Sequence, residues 1–490
     1  MRPELLKPAW AAATTAIVVS AMVVLRLAAP ASAPATVFAV DAGLQEEDVL
    51  TEPSDCIAVD PSQDLQVAID AAPSGAALCL APGNYNGTFH IDRSLTLWGP
   101  SEAVLTNPTR GSTLFIDADD VRLAGFTISG SGTRYHELDS GIFVQRAAGV
   151  RIDGLRLDNV LFGVTAHQAE DLVLSNTEII CRPQRGLGLR GDGVRFWETR
   201  RSVVSHNRVQ RCRDMVMWYS PDNLIESNHF EEGRYGTHFM YSSGNLVRGN
   251  VFTDNVVGIF VMYSANVRID NNVLAASSGA AGVGLGFKEA GNVEVVRNLI
   301  IDNTTGVYVD TSPLYIDHSN LFTLNDFRFN DVALTFHASP RDTALVANTF
   351  ARNSRQLAVR GGGDATGINW IHNYFDTYQG YDMVGDGWGD IPHEMRSTSE
   401  QLIGNYPDVE FFTNTPVLFL IETASRIAPL YQPQLLMRDE QPLIQPVAHS
   451  DGAPDFDTVL EEHGLLTIIE DNGKVRVELR TDDPDSSSSD

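Results

Sequence analysis

From about residue 90 to residue 375 the chain keeps restarting one phrase: apolar-x-apolar, an Asn or Gly, another apolar residue, then Gly-apolar-x-apolar. VVSHNRVQRCRDMVMWYS, LIESNHFEEGRYGTHFMYS and LVRGNVFTDNVVGIFVMYS are successive copies. The recurring Asn falls at Asn176, Asn207, Asn228, Asn250, Asn272, Asn298, Asn325, Asn348 and Asn373, in steps of 31, 21, 22, 22, 26, 27, 23 and 25 residues. Short alternating runs with a period in the low twenties, punctuated by Gly and Asn, predict an all-β right-handed parallel β-helix, a solenoid of about eleven coils. Leucine-rich repeats share the period but need a Leu-rich consensus that is absent here.

A single coil cannot bury its apolar side. Stacking coils about 4.8 Å apart pairs every backbone group with the next turn and lines up identical positions as ladders. An Asn at a coil corner can bond the amide one rung up and tolerates left-handed backbone, so the Asn column is structural. Cys181 follows Asn176 by five residues, as Cys212 follows Asn207. Both therefore occupy one column on neighbouring coils, within disulfide reach, with RPQRGLGLRGDGVRFWE bulging between them. Cys56 and Cys79 precede the regular coils and are expected to bridge the first turn or its cap.

Composition narrows the compartment and the partners. The 490 residues include 40 Gly, with 43% hydrophobic and 20% charged, which describes an ordered chain. Lys+Arg number 35 against 63 Asp+Glu, a net charge of −28 that disfavours any phosphate-tracking surface, so nucleic acid is excluded. Residues 1–39 carry Arg2 and Lys7, the apolar stretch Ala9–Leu25 and then small residues, the pattern of an export signal. Cleavage after Ala33 would leave Pro34 first, so Ala31, Ala35 or Ala39 is expected; the alternative is an uncleaved anchor, since the run approaches bilayer length. Export permits disulfides. The expected organisation is a signal or anchor at 1–39, a cap and first turn at 40–90, repeats at 91–375, a C-terminal cap with a short amphipathic helix at 376–448, and a β-hairpin with an acidic tail at 449–490.

Strand alternation assigns faces. Aligned on the shared Tyr-Ser ending, Met215, Met217, Thr237, Phe239, Ile259 and Val261 point inward, and Val216, Trp218, His238, Met240, Phe260 and Met262 point outward. The pattern extends outward to Thr165, His167, Arg195, Trp197, Tyr308, Asp310, Thr335 and His337. His238, Met240 and Met262 form a candidate Cu(I) site, because imidazole and thioether are soft ligands. The alternative is that these methionines merely fill the core or thicken an apolar docking patch. Further on, Thr415 and Pro416 start a helix ending before Pro429, whose Val417, Leu418, Leu420, Ile421, Ala424 and Ile427 are expected to find cover. It caps the open end of the solenoid or docks on a membrane partner. LLTIIEDNGKVRVELR reads as a hairpin turning at Asn472-Gly473.

GTHFMYSSGNLVRGNVFTDNVVGIFVMYSANV, with NYFDTYQGYDMVGDGWGDIPHE and YPDVEFFTNTPVLFLIETASRIAPLY, resembles the NosD family of periplasmic copper maturation proteins that serve nitrous oxide reductase. The resemblance runs from about Cys56 to about Pro446, and the RYG-x-H-x-MYS segment and the Gly-Asp-Gly-x-Gly-Asp ending are its most specific parts. It implies a non-enzymatic, exported accessory protein peripheral to the inner membrane. Its implied partners are an ABC-type ATPase/permease pair, a copper chaperone and nitrous oxide reductase, with Cu(I) bound transiently. On this basis Trp197, Val216, Trp218, Phe260, Tyr308, Leu420 and Ile421 are candidates for partner docking. Relatives carry a fuller acidic run able to chelate calcium; here Val384 interrupts it, leaving Asp382, Asp386 and Asp390, so a Gly-rich capping turn is expected and Ca2+ is not. The rival function is an exported polysaccharide lyase, hydrolase or epimerase using Asp310 and His337 with Lys288 and Glu289, or a carbohydrate-binding module. Those residues are scattered, and an acidic chain repels anionic polymers. With all four cysteines paired, reduction should raise the intact mass by four hydrogens; an unchanged mass would show free thiols.

Overall fold

The computed structural model describes residues 50–107, 110–183, 186–413, 415–427 and 433–446, plus the backbone of 466–471 and 474–479. The expected export signal, the Asn472-Gly473 turn and the acidic tail lie outside the described residues. Three parallel sheets of 14, 12 and 13 strands run along a β-helix. Between Gly83 and Phe375 consecutive strands do not pair with each other; each pairs with its equivalent one coil on. Thus Leu224–Glu226 pairs with Leu246–Arg248, His229–Glu231 with Val251–Thr253, and Tyr235–Met240 with Val257–Met262. The coils exceed the expected eleven because Ile57–Val59 already pairs in parallel with Ala76–Leu80, ahead of the Asn-marked repeats. Helix α1 (Leu65–Ala71), N-capped by Asp64, buries Leu65 and Ile69 against these first coils.

The inward set is as alternation predicts: Met215, Met217, Thr237, Phe239, Ile259 and Val261 are all buried. Inside, equal positions stack ring on ring. Phe230 and Phe252 lie 5.3 Å apart at 9°, and Phe327, Phe350 and Phe375 follow at 4.7 and 5.1 Å. Burial of such a column supplies roughly 2 kcal/mol per ring on area grounds, the main stabilising contribution of the core.

The Asn column is a continuous hydrogen-bonded ladder. From Asn228 to Asn373, each amide oxygen accepts both the backbone N–H and the side-chain N–H of the Asn one coil before, as Asn250 does from Asn228 at 2.9 Å for both. The second amide hydrogen goes to a carbonyl on the preceding coil, as from Asn250 Nδ2 to Ile225 O at 2.9 Å. The ladder ends on Asp439, a fully buried carboxylate whose Oδ2 accepts from Asn373 N and Nδ2 at 2.9 and 3.0 Å. A second ladder joins Asn303, Asn330 and Asn353.

Two details differ from expectation. Asn176 is not on the ladder: it is exposed, left-handed (φ 48°) and donates to Asp153, while Thr177 N supplies the bond to Asn207 Oδ1. The left-handed corner is the residue before each rung, as at Ser227, Arg297, Leu324 and Ala347 (φ 54°, 53°, 57° and 54°), so the ladder asparagines serve for their amides and not for backbone tolerance. Disulfides join Cys56 to Cys79 and Cys181 to Cys212, with Cα–Cα distances of 5.7 and 4.9 Å.

After the last coil, His393–Ser397 pairs antiparallel with Gln434–Asp439. Helices α2 (Thr398–Asn405) and α3 (Pro416–Ile427) pack over that end, and Glu422 of α3 accepts from Thr398 N and Ser399 N at the start of α2. Helix α3 does not bury the apolar surface expected of it. Leu418 alone is buried (7% exposed) in a groove with Leu357, Ile403 and Leu436, while Val417, Phe419, Leu420 and Ile427 stay exposed. Thr415 donates its hydroxyl to Phe412 O. Backbone strands Leu466–Asp471 and Lys474–Leu479 pair antiparallel. Replacing Asn250 by Ala strands buried N–H groups and should cost about 2–4 kcal/mol in denaturant unfolding, whereas Asn176→Ala should cost about 1 kcal/mol or less; equal costs would deny the ladder its role.

Candidate functional site

The outer face of the twelve-stranded sheet carries two side-chain columns set by Cα register. One runs His167, Trp197, Trp218, Met240, Met262, Lys288, Asp310, His337. Beside it runs Thr165, Arg195, Val216, His238, Phe260, Gly286, Tyr308, Thr335. Parallel stacking thereby puts residues about two dozen positions apart in sequence side by side.

His238 lies at the centre of this face and is only 6% exposed. Its Nε2 approaches Met262 Sδ to 3.1 Å, and its Nδ1 has no hydrogen-bond partner among the described residues. The ring of Tyr235 stacks on it at 4.8 Å and that of Trp218 meets it edge-on at 5.9 Å. Met240 is the Cα neighbour of Met262 on the adjoining strand. Phe260 leaves this space by folding onto the next coil, where a Cβ on Gly286 would stand 2.3 Å from its Cε2. Burial pushes the imidazole down to about 4; Asp214 pulls it back, and Arg234 and Arg213 push it further down. The ring is thus neutral at physiological pH. A neutral imidazole with thioethers is a donor set for a soft monovalent cation.

Next to it lies a buried ionic cluster that sequence reasoning missed. Asp192 and Asp214 are 0% and 3% exposed. Asp192 accepts from Arg195 Nη1 and from Arg213 Nε, each at 3.0 Å, and its ion pair with Arg213 Nη2 is 2.7 Å long; Asp214 accepts from Arg213 Nε at 3.2 Å and Arg234 Nε at 3.0 Å. Burial, then the neighbouring Asp214, raises the Asp192 carboxyl to about 7. Arg195 sits 5.0 Å from the Trp218 ring and Arg234 4.9 Å from the Tyr235 ring. The signal was there: Arg213 and Arg234 are separated by the same 21 residues as rungs Asn207 and Asn228.

The Tyr-Ser endings are a corner device. Tyr219, Tyr241 and Tyr263 are left-handed and stack at 5.3 and 5.0 Å, while Ser220 N and Ser242 N each donate to the next Ser hydroxyl at 2.9 Å. Of the candidate docking residues, Trp197, Trp218, Phe260 and Tyr308 are partly exposed on the sheet face. Val216 is buried there, so it can support those rings but offers no surface. Leu420 and Ile421 are exposed on α3, which packs at the other end of the coil stack. Lys288 Nζ approaches Asp310 Oδ2 to 3.8 Å and Tyr308 Oη approaches His337 Nδ1 to 3.5 Å, while Glu289 takes a left-handed position off that column. Asp382 accepts from the N–H groups of Val384, Gly385 and Gly387 at 3.1, 2.6 and 2.8 Å, and Asp390 from Met383 N at 2.6 Å. These carboxylates fold their own loop. Among the described residues no three His, Cys, Asp or Glu side chains gather where they could hold a metal ion.

Residues 172–385 match the model of the family described as periplasmic copper-binding protein (NosD). A probable ABC transporter binding protein NosD of Pseudomonas aeruginosa is 31% identical over 380 residues, 75% of this chain and 87% of that protein. Its namesake in Stutzerimonas stutzeri is 28% identical over 388 residues, 75% and 86% of the two chains. Among solved structures, the A-module of the mannuronan C-5 epimerase AlgE6 of Azotobacter vinelandii superposes with a TM-score of 0.50 at 18% identity, covering 62% of this chain and 93% of that one, a likeness of fold alone.

The imidazole pKa has a consequence for acid stability. Unfolded, His238 gains its proton near pH 6.5; folded, near 4. As pH falls through that window the unfolded state takes up the proton and the folded state does not, so this contribution to stability is lost. His238 ring NMR signals should stay constant between pH 7 and 5, and His238→Gln should flatten the acid side of the stability curve over that window. A His238 titration centred near 6.5 would contradict the burial argument.

Proposed function

This chain belongs to the NosD family, and on that premise we propose that it is a periplasmic accessory protein that holds Cu(I) transiently at His238, Met240 and Met262. The copper is cargo, passed on for assembly of the copper–sulfide site of nitrous oxide reductase. A copper chaperone supplies it, and an ABC-type ATPase/permease pair at the inner membrane is the platform on which this chain works. The observation that carries this reading is the approach of His238 Nε2 to Met262 Sδ at 3.1 Å, across two coils and inside the interval matched by the copper-binding family. The names of the two relatives support an ABC-type partner. The neutral imidazole presents a lone pair, the thioethers reject hard cations, and burial limits access of water to the ion.

Two surfaces are assigned to docking. The rings of Trp197, Trp218, Phe260 and Tyr308, on the same sheet face as the copper site and with Val216 buried in their midst, face the proteins that give and take the ion. Leu420 and Ile421 on α3 face the membrane partner, since an exposed apolar helix stripe is a surface that a partner covers. No catalytic role is assigned. The Lys288–Asp310 pair is a long, partly exposed ion pair of modest worth.

Titration of Cu(I) against a chromogenic chelator tests the site. Changing His238, Met240 and Met262 together to Ala should weaken binding by about a hundredfold or more. Unchanged affinity would remove the metal assignment while leaving the docking surfaces standing, and shortening or epimerisation of uronate polymers by the pure protein would replace the whole reading with a sugar-modifying one.

A further inference from the structure

Two aromatic rings touch the His238 imidazole, and each also touches a guanidinium. Tyr235 meets Arg234 at 4.9 Å and Trp218 meets Arg195 at 5.0 Å. Arg213 joins the two halves by bonding both Asp192, at 2.7 Å, and Asp214, at 3.2 Å. Three guanidiniums therefore share two carboxylates, an excess of one positive charge even with both acids ionised. Both carboxylates are buried and turned to the arginines, so neither is presented to an ion beside His238. Tyr235 is locked into the same cluster, its backbone N–H donating to Asp214 Oδ1 at 3.2 Å.

We infer that Arg195, Arg213 and Arg234 set the charge selectivity of the His238–Met262 site, admitting a singly charged soft cation, Cu(I) or Ag(I), and excluding divalent ions such as Zn(II) and Cu(II). This rests on the copper reading above. Coulomb repulsion scales with the charge of the incoming ion, so a fixed positive excess costs a divalent ion twice what it costs a monovalent one. Arg195 and Arg213, with side chains only 13% and 15% exposed, are shielded from salt, whereas Arg234 at 40% is screened more. Cation–π contact also engages the ring electron density of Tyr235 and Trp218 with guanidinium, so neither ring is free to compensate a second positive charge. Thioether and imidazole alone leave Zn(II) some affinity through the nitrogen; the guanidiniums remove it. The arginines act through the field at the site and ligate nothing.

The test uses the full chain with its disulfides intact, titrated calorimetrically with Ag(I), a redox-stable stand-in for Cu(I), and separately with Zn(II). Heat that persists in His238→Ala is subtracted as binding elsewhere. Arg195→Gln and Arg234→Gln each remove one positive charge and should narrow the Ag(I)-over-Zn(II) preference by about tenfold. Asp192→Asn removes a negative charge with little change of shape and, at pH 8, should widen the preference by a similar factor. That reversal of sign is something a merely structural role of the cluster would not produce, and it keeps the test open if an arginine variant fails to fold. A preference that stays within about twofold in Asp192→Asn and in every folded arginine variant overturns the charge filter alone. Ag(I) binding that is absent, or indifferent to His238→Ala, overturns the copper reading and the filter together.

Discussion

Every backbone N–H and C=O inside a coil has to be satisfied by the coil above or below, and that requirement organises the molecule. Parallel pairing at strand spacing allows one register, and the Asn ladder enforces it by joining backbone and side chain of one rung to a single amide oxygen on the next, as from Asn228 to Asn250. A slip of one residue would expose the Phe230–Phe252 stack and break the ladder together. Register set in this way is what places Met262 against His238 although 24 residues separate them.

Much of this was legible in the amino-acid string. The period, the inward set around Phe239 and the outward set around His238 follow from spacing and alternation, because both are enforced on every coil. Asn176 misled because it stands one residue before the rung, a shift too small to notice among steps that vary from 21 to 31; its bond to Asp153 and its exposure separate it from Thr177. The first coils were hidden because Ile57–Val59 and Ala76–Leu80 pair without asparagines to mark them. The Asp192–Asp214–Arg213 cluster was passed over since charged residues in repeats usually point to water. Burying them depends on how neighbouring segments fold over the sheet, which periodicity does not encode. Helix α3 was open in the sequence between capping the coil stack and docking on a partner; the groove accepts only Leu418, and most of the remaining apolar stripe is exposed.

The candidate site illustrates how a repetitive scaffold acquires chemistry. The ladders and stacks hold the backbone without help from the outward columns, so those columns are free to vary from rung to rung. In one short stretch they read Trp218, His238, Met240 and Met262, and nearby they change to Lys288, Asp310 and His337. The rigid floor under His238 lets it remain buried and uncharged; a flexible loop bearing the same residues would expose the ring and protonate it in mild acid.

Asp439 closes the long ladder with a group that accepts hydrogen bonds and, ionised, has none to give onward. An asparagine there would offer its own amide hydrogens to whatever lay beyond. A stack of coils is a growing tip by construction, able in principle to recruit the first coil of another molecule and elongate into a filament. The carboxylate, brought in by the Gln434–Asp439 strand, is a chain terminator in the polymer chemist's sense, and it keeps the rod at finite length.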